Sequence, residues 1–305
     1  MSRATVLKGT GGVWHVRLAD GEIRQAAMRG RLKQNEGESL KLAVGDDVEI
    51  EGVDGASWAI SAILPRRSVL ARRAPGTAYG ERVVAANIDE VIVVFAAAKP
   101  DPHERMLDRF LVIAAANEIP ARIVVNKVEL VANGAAQARF GEYERIGYPV
   151  HYTSVKTRAG LDELRDMLAG RVSALTGPSG VGKSSLLNSI YPGLDLRVGE
   201  ISESVNKGRH TTVGAEMHPL PNGGYVMDTP GLREVGTWGL DANDLAACFI
   251  EFRPFLGECR FGDCRHLVEP DCGVRTAVEQ GQISAARYES YSRLLEDLVG
   301  QKARG

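Results

Sequence analysis

Gly177-Pro178-Ser179-Gly180-Val181-Gly182-Lys183-Ser184-Ser185 decides how this chain of 305 residues is read. The stretch fits G-x-x-x-x-G-K-[ST], a loop that cradles phosphates. The apolar run Val172–Thr176 before it reads as a strand, and Ser185–Ile190 after it can start a helix. That is the strand–loop–helix setting the loop requires. Its glycines let successive N–H groups turn toward phosphate oxygens, and the helix N-terminus adds partial positive charge. Lys183 is placed to reach the β- and γ-phosphates, and Ser184 to offer its hydroxyl to Mg²⁺. The alternative, a chance glycine-rich turn, does not explain why strand and helix flank it.

Strands and helices alternate over residues 85–235. Val91–Phe95, Ala121–Val125, Pro149–Thr153 and Gly224–Met227 read as strands. Arg105–Asn117 and Leu161–Leu168 read as helices. Such alternation implies a mostly parallel sheet covered on both faces, with ligands at the carboxyl ends of its strands. Four further motifs fall at those ends or between them. Asn126-Lys127-Val128-Glu129 resembles the Asn-Lys-x-Asp that reads guanine, whose N1–H and 2-amino group both donate to the acid. Glu129 replaces the aspartate and is one methylene longer. Thr153-Ser154-Val155-Lys156 resembles a Ser-Ala-Lys loop that supports guanine O6 through its backbone. Asp228-Thr229-Pro230-Gly231 matches Asp-x-x-Gly: Asp228 holds a Mg²⁺-bound water, and Gly231 N–H meets the γ-phosphate. Between them, Asn206–Thr212 offers a threonine to Mg²⁺, either Thr211 or Thr212, with Thr212 preferred.

The order is unusual. GTPases ordinarily run phosphate loop, switch threonine, Asp-x-x-Gly, then the two base motifs. Here the base motifs precede the phosphate loop, a circular permutation. Both switch segments then lead into the C-terminal part, so loop movement is expected to pull on that part.

Composition sets the frame. Hydrophobic content of 44% and charged content of 25% are ordinary for a globular protein. No apolar run approaches the roughly 20 residues of a membrane span, and the first residues lack a signal-peptide core. A cytoplasmic protein without membrane contact is expected. The net charge of −2 excludes a polycation, so any nucleic-acid contact must be local.

Residues 1–64 show no helical period. Gly12–Leu18, Leu40–Val44, Val48–Glu51 and Trp58–Ile63 read as short strands between glycine turns. About five strands of this kind suggest a small barrel of the OB type, an α-carbon path often used on RNA. Arg24, Arg29, Arg31, Lys33 and Lys41 are candidate contacts, or simply a solvated charged face. Trp14 and Trp58 sit in alternating runs and are expected in the core. Residues 65–84 read as a basic linker carrying Arg66, Arg67, Arg72, Arg73 and Arg82.

The C-terminal segment, 236–305, holds Cys259, Cys264, His266 and Cys272. Three thiolates and an imidazole suit tetrahedral Zn²⁺, and four protein ligands make the site structural. Arg260, Arg265 and Arg275 would offset its negative charge. Cys248 stands apart as a core thiol. Gln282–Val299 reads as an amphipathic helix packed on the zinc loop.

The permuted order, Gly208-Arg209-His210-Thr211-Thr212, and the Cys-x4-Cys-x-His-x5-Cys cluster enclosing Glu269-Pro270 together resemble the ribosome small subunit-dependent GTPase A family. The resemblance covers nearly the whole chain. It implies an OB-fold β-barrel (1–64), a basic linker (65–84), a circularly permuted α/β P-loop GTPase domain (85–235) and a mainly helical zinc-binding domain (236–305). It implies a cytoplasmic GTP hydrolase that acts in late small-subunit maturation, contacts rRNA and is stimulated by the subunit. Nothing in the chain suggests an obligate oligomer, so a monomer is expected. Leu232 occupies the position where many GTPases place a water-orienting glutamine. His210 is the candidate for that task, because imidazole orients water or accepts a proton. A histidine contacting RNA phosphate is the competing role. An RNA-binding assembly protein that binds GTP or GDP with little turnover is the second functional reading. An ATPase is disfavoured by Asn126 and Lys127.

Overall fold

The computed structural model describes residues 2–29, 41–52, 57–73, 81–196, 215–228 and 240–302. Strands β1 (Ser2–Thr10), β2 (Val13–Leu18), β3 (Ile23–Met28), β4 (Asp47–Gly52) and β5 (Trp58–Ile63) close into a barrel in the order β1-β2-β3-β5-β4. Only β3 and β5 run parallel. Val6, Val16, Val48, Ile50 and Ile60 fill the interior, as period-two alternation requires. Two strands differ from the sequence expectation. β1 escapes the alternation rule because a bulge between Val6 and Lys8 shifts its register. β3 escapes it because its buried position is a small alanine, Ala26, while Ile23 lies exposed. Of the strand expected at Leu40–Val44, the described residues 41–43 form no regular element and Val44 makes one isolated bridge, to Ala85; Leu42 and Val44 are buried all the same.

The stretch expected as a linker carries a hairpin of β6 (Val69–Arg73) and β7 (Glu81–Ala86). Its first arginines are engaged within the chain. Arg66 Nε donates to the buried Asp46 at 2.7 Å, and Arg67 Nη1 donates to Asp89 at 2.6 Å. Trp14 and Trp58 pack against the barrel core as expected, with the Arg24 guanidinium 4.9 Å from the Trp58 ring centroid. Arg31 and Lys33 lie outside the described residues.

A six-stranded sheet follows, from β8 (Glu90–Ala96), β9 (Ala121–Asn126), β10 (Val150–Tyr152), β11 (Val172–Thr176), β12 (Glu216–Pro219) and β13 (Tyr225–Asp228). Its order is β10-β9-β8-β11-β13-β12. β12 alone is antiparallel to its neighbour. Every residue of β8 is buried, which its unbroken apolar run demands of a strand covered on both faces. Helices α1 (Glu104–Ala116) and α2 (Ala135–Ile146) cover one face through Leu107, Phe110, Leu111 and Phe140. Helices α3 (Leu161–Leu168) and α4 (Lys183–Ile190) cover the other through Leu161, Leu164, Leu186 and Leu187.

The C-terminal unit contains α5 (Leu245–Cys248), a 3-10 helix (Ile250–Glu258), α6 (Gly273–Glu279) and α7 (Ala285–Lys302). Its core, with Phe249, Phe252, Tyr291 and Leu295, extends to Val112 of α1. An ion network crosses the same boundary. Arg287 on α7 bonds the carboxylate of Asp108 on α1 and donates to Glu251 at 2.6 Å. Tyr143 of α2 donates to Asp108 at 2.8 Å, and the Arg287 guanidinium lies over Phe249, 4.6 Å from its centroid. Burial works against the Arg287 charge, but Asp108 and Glu251 outweigh it and hold its pKa above the ordinary value. The C-terminal unit is thereby docked on the helix that follows β8. Among the described residues, no helix is long and apolar enough to cross a membrane.

Candidate nucleotide site and metal centre

The parallel strands deliver their loops to one edge of the sheet. The phosphate loop follows β11, the Asn126 motif ends β9, Ser154 follows β10, and β13 ends at Asp228. Residues far apart in sequence therefore meet. Gly177 has φ +134°, and a Cβ there would lie 2.1 Å from the Val94 carbonyl oxygen of β8. Gly182, at φ +96°, precedes α4, and a Cβ on it would meet Asn126 Nδ2 at 2.6 Å. Both positions are closed to side chains, so the loop lies tight on the base-side strands. Lys183 and Ser184 open α4 and are each 6% exposed. Lys183 Nζ donates to Gly177 O at 2.9 Å and Pro178 O at 2.7 Å, holding its charge inside the loop's curve.

The base motif braces this loop. Asn126 Nδ2 donates to Val181 O at 2.9 Å, and Thr153 Oγ1 donates to Asn126 Oδ1 at 3.3 Å. Lys127, in the left-handed region at φ +61°, donates to Gly180 O at 2.6 Å and to Lys99 O at 2.5 Å. Glu129 Oε2 is buried with no partner among the described residues. A carboxylate oxygen removed from water without a donor is costly, so this position calls for a hydrogen-bond donor. Ser154 is fully buried, and its Oγ accepts from Thr157 N at 3.0 Å, which fixes the turn that includes Lys156.

The site thus gathers Asn126, Lys127, Glu129, Ser154, Lys183 and Ser184 at one sheet edge. Ser184 is the described hydroxyl that would hold Mg²⁺. Asp228 ends β13 at the same edge. His210, Thr211, Thr212, Gly231 and Leu232 lie outside the described residues.

The second site is the C-terminal cluster. The ligand atoms of Cys259, Cys264, His266 and Cys272 all lie within 4.8 Å of one another. Cys259 Sγ is 3.9 Å from Cys272 Sγ and 3.5 Å from His266 Nδ1. Zn–S bonds of about 2.3 Å in a tetrahedron require sulfurs about 3.8 Å apart, so the donor set fits that ion. Burial, with the neighbouring thiols, pushes Cys264 up to about 12. A dication reverses that pressure by stabilising thiolates. Tyr288 OH donates to His266 O at 2.6 Å and Tyr291 OH to Arg265 O at 2.8 Å, so α7 fastens the loop, as its amphipathic pattern suggested.

The roles of two side chains, Glu269 and Asn188, are not visible in the sequence. Glu269 accepts from the N–H groups of Arg265, Leu267 and Val268 at 2.9–3.0 Å. Burial opposes its charge, but these N–H groups prevail and hold it at about 2. An acid between two metal ligands, facing a loop of unpaired N–H groups, was the available signal. Asn188 clasps Leu196 twice, donating to its carbonyl at 2.7 Å and accepting from its N–H at 2.9 Å. It stands four residues beyond Ser184, on the same helix face. Cys248 is buried, as a core thiol should be.

Fold and site together define a P-loop GTPase with its base-reading half moved ahead of the phosphate loop. The family model described as RsgA GTPase matches residues 63–238. A Gemmatimonas aurantiaca protein named "Small ribosomal subunit biogenesis GTPase RsgA" is 59% identical over 298 residues, covering 97% of each chain. The protein of that name from Alkaliphilus metalliredigens is 39% identical and covers 98% of each. Among solved structures, YjeQ from Thermotoga maritima superposes with a TM-score of 0.79 at 35% identity, over 98% of this chain and 99% of that one. YloQ, described as a circularly permuted GTPase, gives 0.77 at 28% identity, over 100% of this chain and 96% of that one. The chain belongs to the RsgA GTPase family.

Proposed function

We propose that this protein hydrolyses GTP during late maturation of the small ribosomal subunit, contacting rRNA in the cytoplasm as a monomer and turning over faster when docked. The observation that carries the guanine assignment is the buried, unpartnered Glu129 oxygen beside the Asn126 and Lys127 braces. The subunit assignment rests on relatives of matching length whose name states it.

In this reading Lys183 leaves the loop carbonyls for the β- and γ-phosphates. Gly231 N–H binds the γ-phosphate. Ser184, Thr212 and Asp228 would hold Mg²⁺, which neutralises charge on the phosphates when bound. His210 orients the attacking water, since Leu232 cannot. Cys259, Cys264, His266 and Cys272 would hold one structural Zn²⁺.

Phosphate release with and without purified small subunits tests the proposal. Stimulated GTP turnover that ATP does not compete away, and that His210→Ala abolishes, supports it. Turnover unmoved by subunits favours a nucleotide-binding assembly protein instead.

A further inference from the structure

The barrel does not hang from the GTPase domain by a tether; it rests on the two strands nearest the phosphate-sensing segments. β12 begins at Glu216, four residues after Thr212, and β13 ends at Asp228 itself. Lys8 Nζ of β1 pairs with Glu216 Oε1 at 2.9 Å. Arg17 Nη1 of β2 donates to Tyr225 OH at 3.2 Å, and its guanidinium lies 5.8 Å from that ring's centroid. Beneath these polar contacts, Leu7 and Val44 of the barrel share one apolar core with Met217 and Met227 of the two strands.

We propose that Glu216 and Tyr225 are positioning residues through which the barrel and the nucleotide's γ-phosphate sense one another. The inference rests on the reading given above, that Thr212 and Asp228 respond to the γ-phosphate. A packed core is not continuously deformable, so a shift of β12 or β13 by a few tenths of an ångström must be matched by the barrel. By linkage, RNA held on the barrel then changes the preference between GTP and GDP, and nucleotide changes barrel affinity by the same factor. Lys8 and Arg17 reach the strands from the barrel side. Neither Glu216 nor Tyr225 belongs to the nucleotide or metal site.

The test measures affinity of the full chain for purified small subunits with GDP and with a non-hydrolysable GTP analogue, together with turnover in the absence of subunits. In a Glu216→Gln/Tyr225→Phe variant, basal turnover and thermal stability stay at the wild-type level. The analogue-to-GDP affinity ratio falls about five-fold, the lower end of usual coupling factors. In a cycle of Lys8→Ala and Glu216→Gln, the double variant changes the ratio no more than either single one. A ratio kept at the wild-type value in Glu216→Gln/Tyr225→Phe, or single effects that simply add in the cycle, overturns the inference and leaves the proposed function standing. A wild-type protein that binds subunits equally with GDP and with the analogue also overturns the inference, while phosphate release unmoved by subunits is what overturns the proposed function.

Discussion

Lys127 Nζ and the Gly180 carbonyl are joined at 2.6 Å, so a residue of the base-reading motif holds the phosphate loop directly. The same ammonium donates to Lys99 O. Three loops, after β8, β9 and β11, thus converge on one charge. Lys127→Ala is expected to weaken GDP and GTP binding together, by about ten-fold, since charge-assisted bonds are worth about 1.5–3 kcal/mol each and loop water recovers part. Fluorescent-nucleotide titration checks it. Loss confined to one of the two nucleotides would show that the brace is not what matters.

Glu129 offers a partly buried carboxylate that accepts and cannot donate. Glu129→Gln places an amide N–H where guanine presents its own amino group. GTP affinity should fall about 100-fold, by analogy with sites that leave a buried polar group unpaired. Xanthine nucleotide, with a carbonyl in place of the amino group, should gain. Competition between the two nucleotides reads the outcome, and an unchanged preference would remove Glu129 from the base contact.

The network of Asp108, Glu251 and Arg287 is buried at a boundary between two units. Arg287→Met strands two carboxylates and should cost about 3–5 kcal/mol of unfolding free energy. Denaturant unfolding measures this. Adding Asp108→Leu should recover part of the loss, because it withdraws one of the stranded charges.

Removing Zn²⁺ should unfasten the C-terminal unit first. Chelation, or Cys272→Ser, is expected to lower the melting midpoint of the full chain and release one equivalent of metal, while guanine-nucleotide affinity changes less than two-fold, as an order of magnitude for sites without shared partners. Metal analysis of the purified protein decides the stoichiometry.

Glu269 gives a pH signature. Its folded-state pKa of about 2 lies below the ordinary 4.5, so the stability it contributes is present above about 4.5 and is lost as pH falls toward 2. In metal-free protein, Glu269→Gln should flatten the dependence of melting midpoint on pH across that window. Identical slopes in the two proteins would contradict the assignment.

Much of this was legible in the residues. The phosphate loop, the Asn126-Lys127 motif and the Cys-His cluster announce themselves because their chemistry fixes residue type and spacing together. The sheet was legible because Val91–Phe95 is apolar without interruption. The barrel was read less well. Its β1 is bulged at Val6/Lys8 and its β3 buries an alanine, so neither shows a clean alternation. The buried ion network was invisible, since Asp108 lies 179 residues before Arg287 and Glu251 lies 36 before it, and all three look like ordinary surface charges until the fold brings them together.

The docking of α7 on α1 changes how force can run through the molecule. The chain order suggested that switch movement would tug the C-terminal unit along. Asp228 ends a strand of the sheet, and the unit beginning at Leu240 is docked on α1 of that same sheet. The residues that flank 229–239 therefore stand on one frame. In mechanical language, the C-terminal unit is a stator. Whatever grips this unit from outside also grips, through α1, the sheet that carries the nucleotide site.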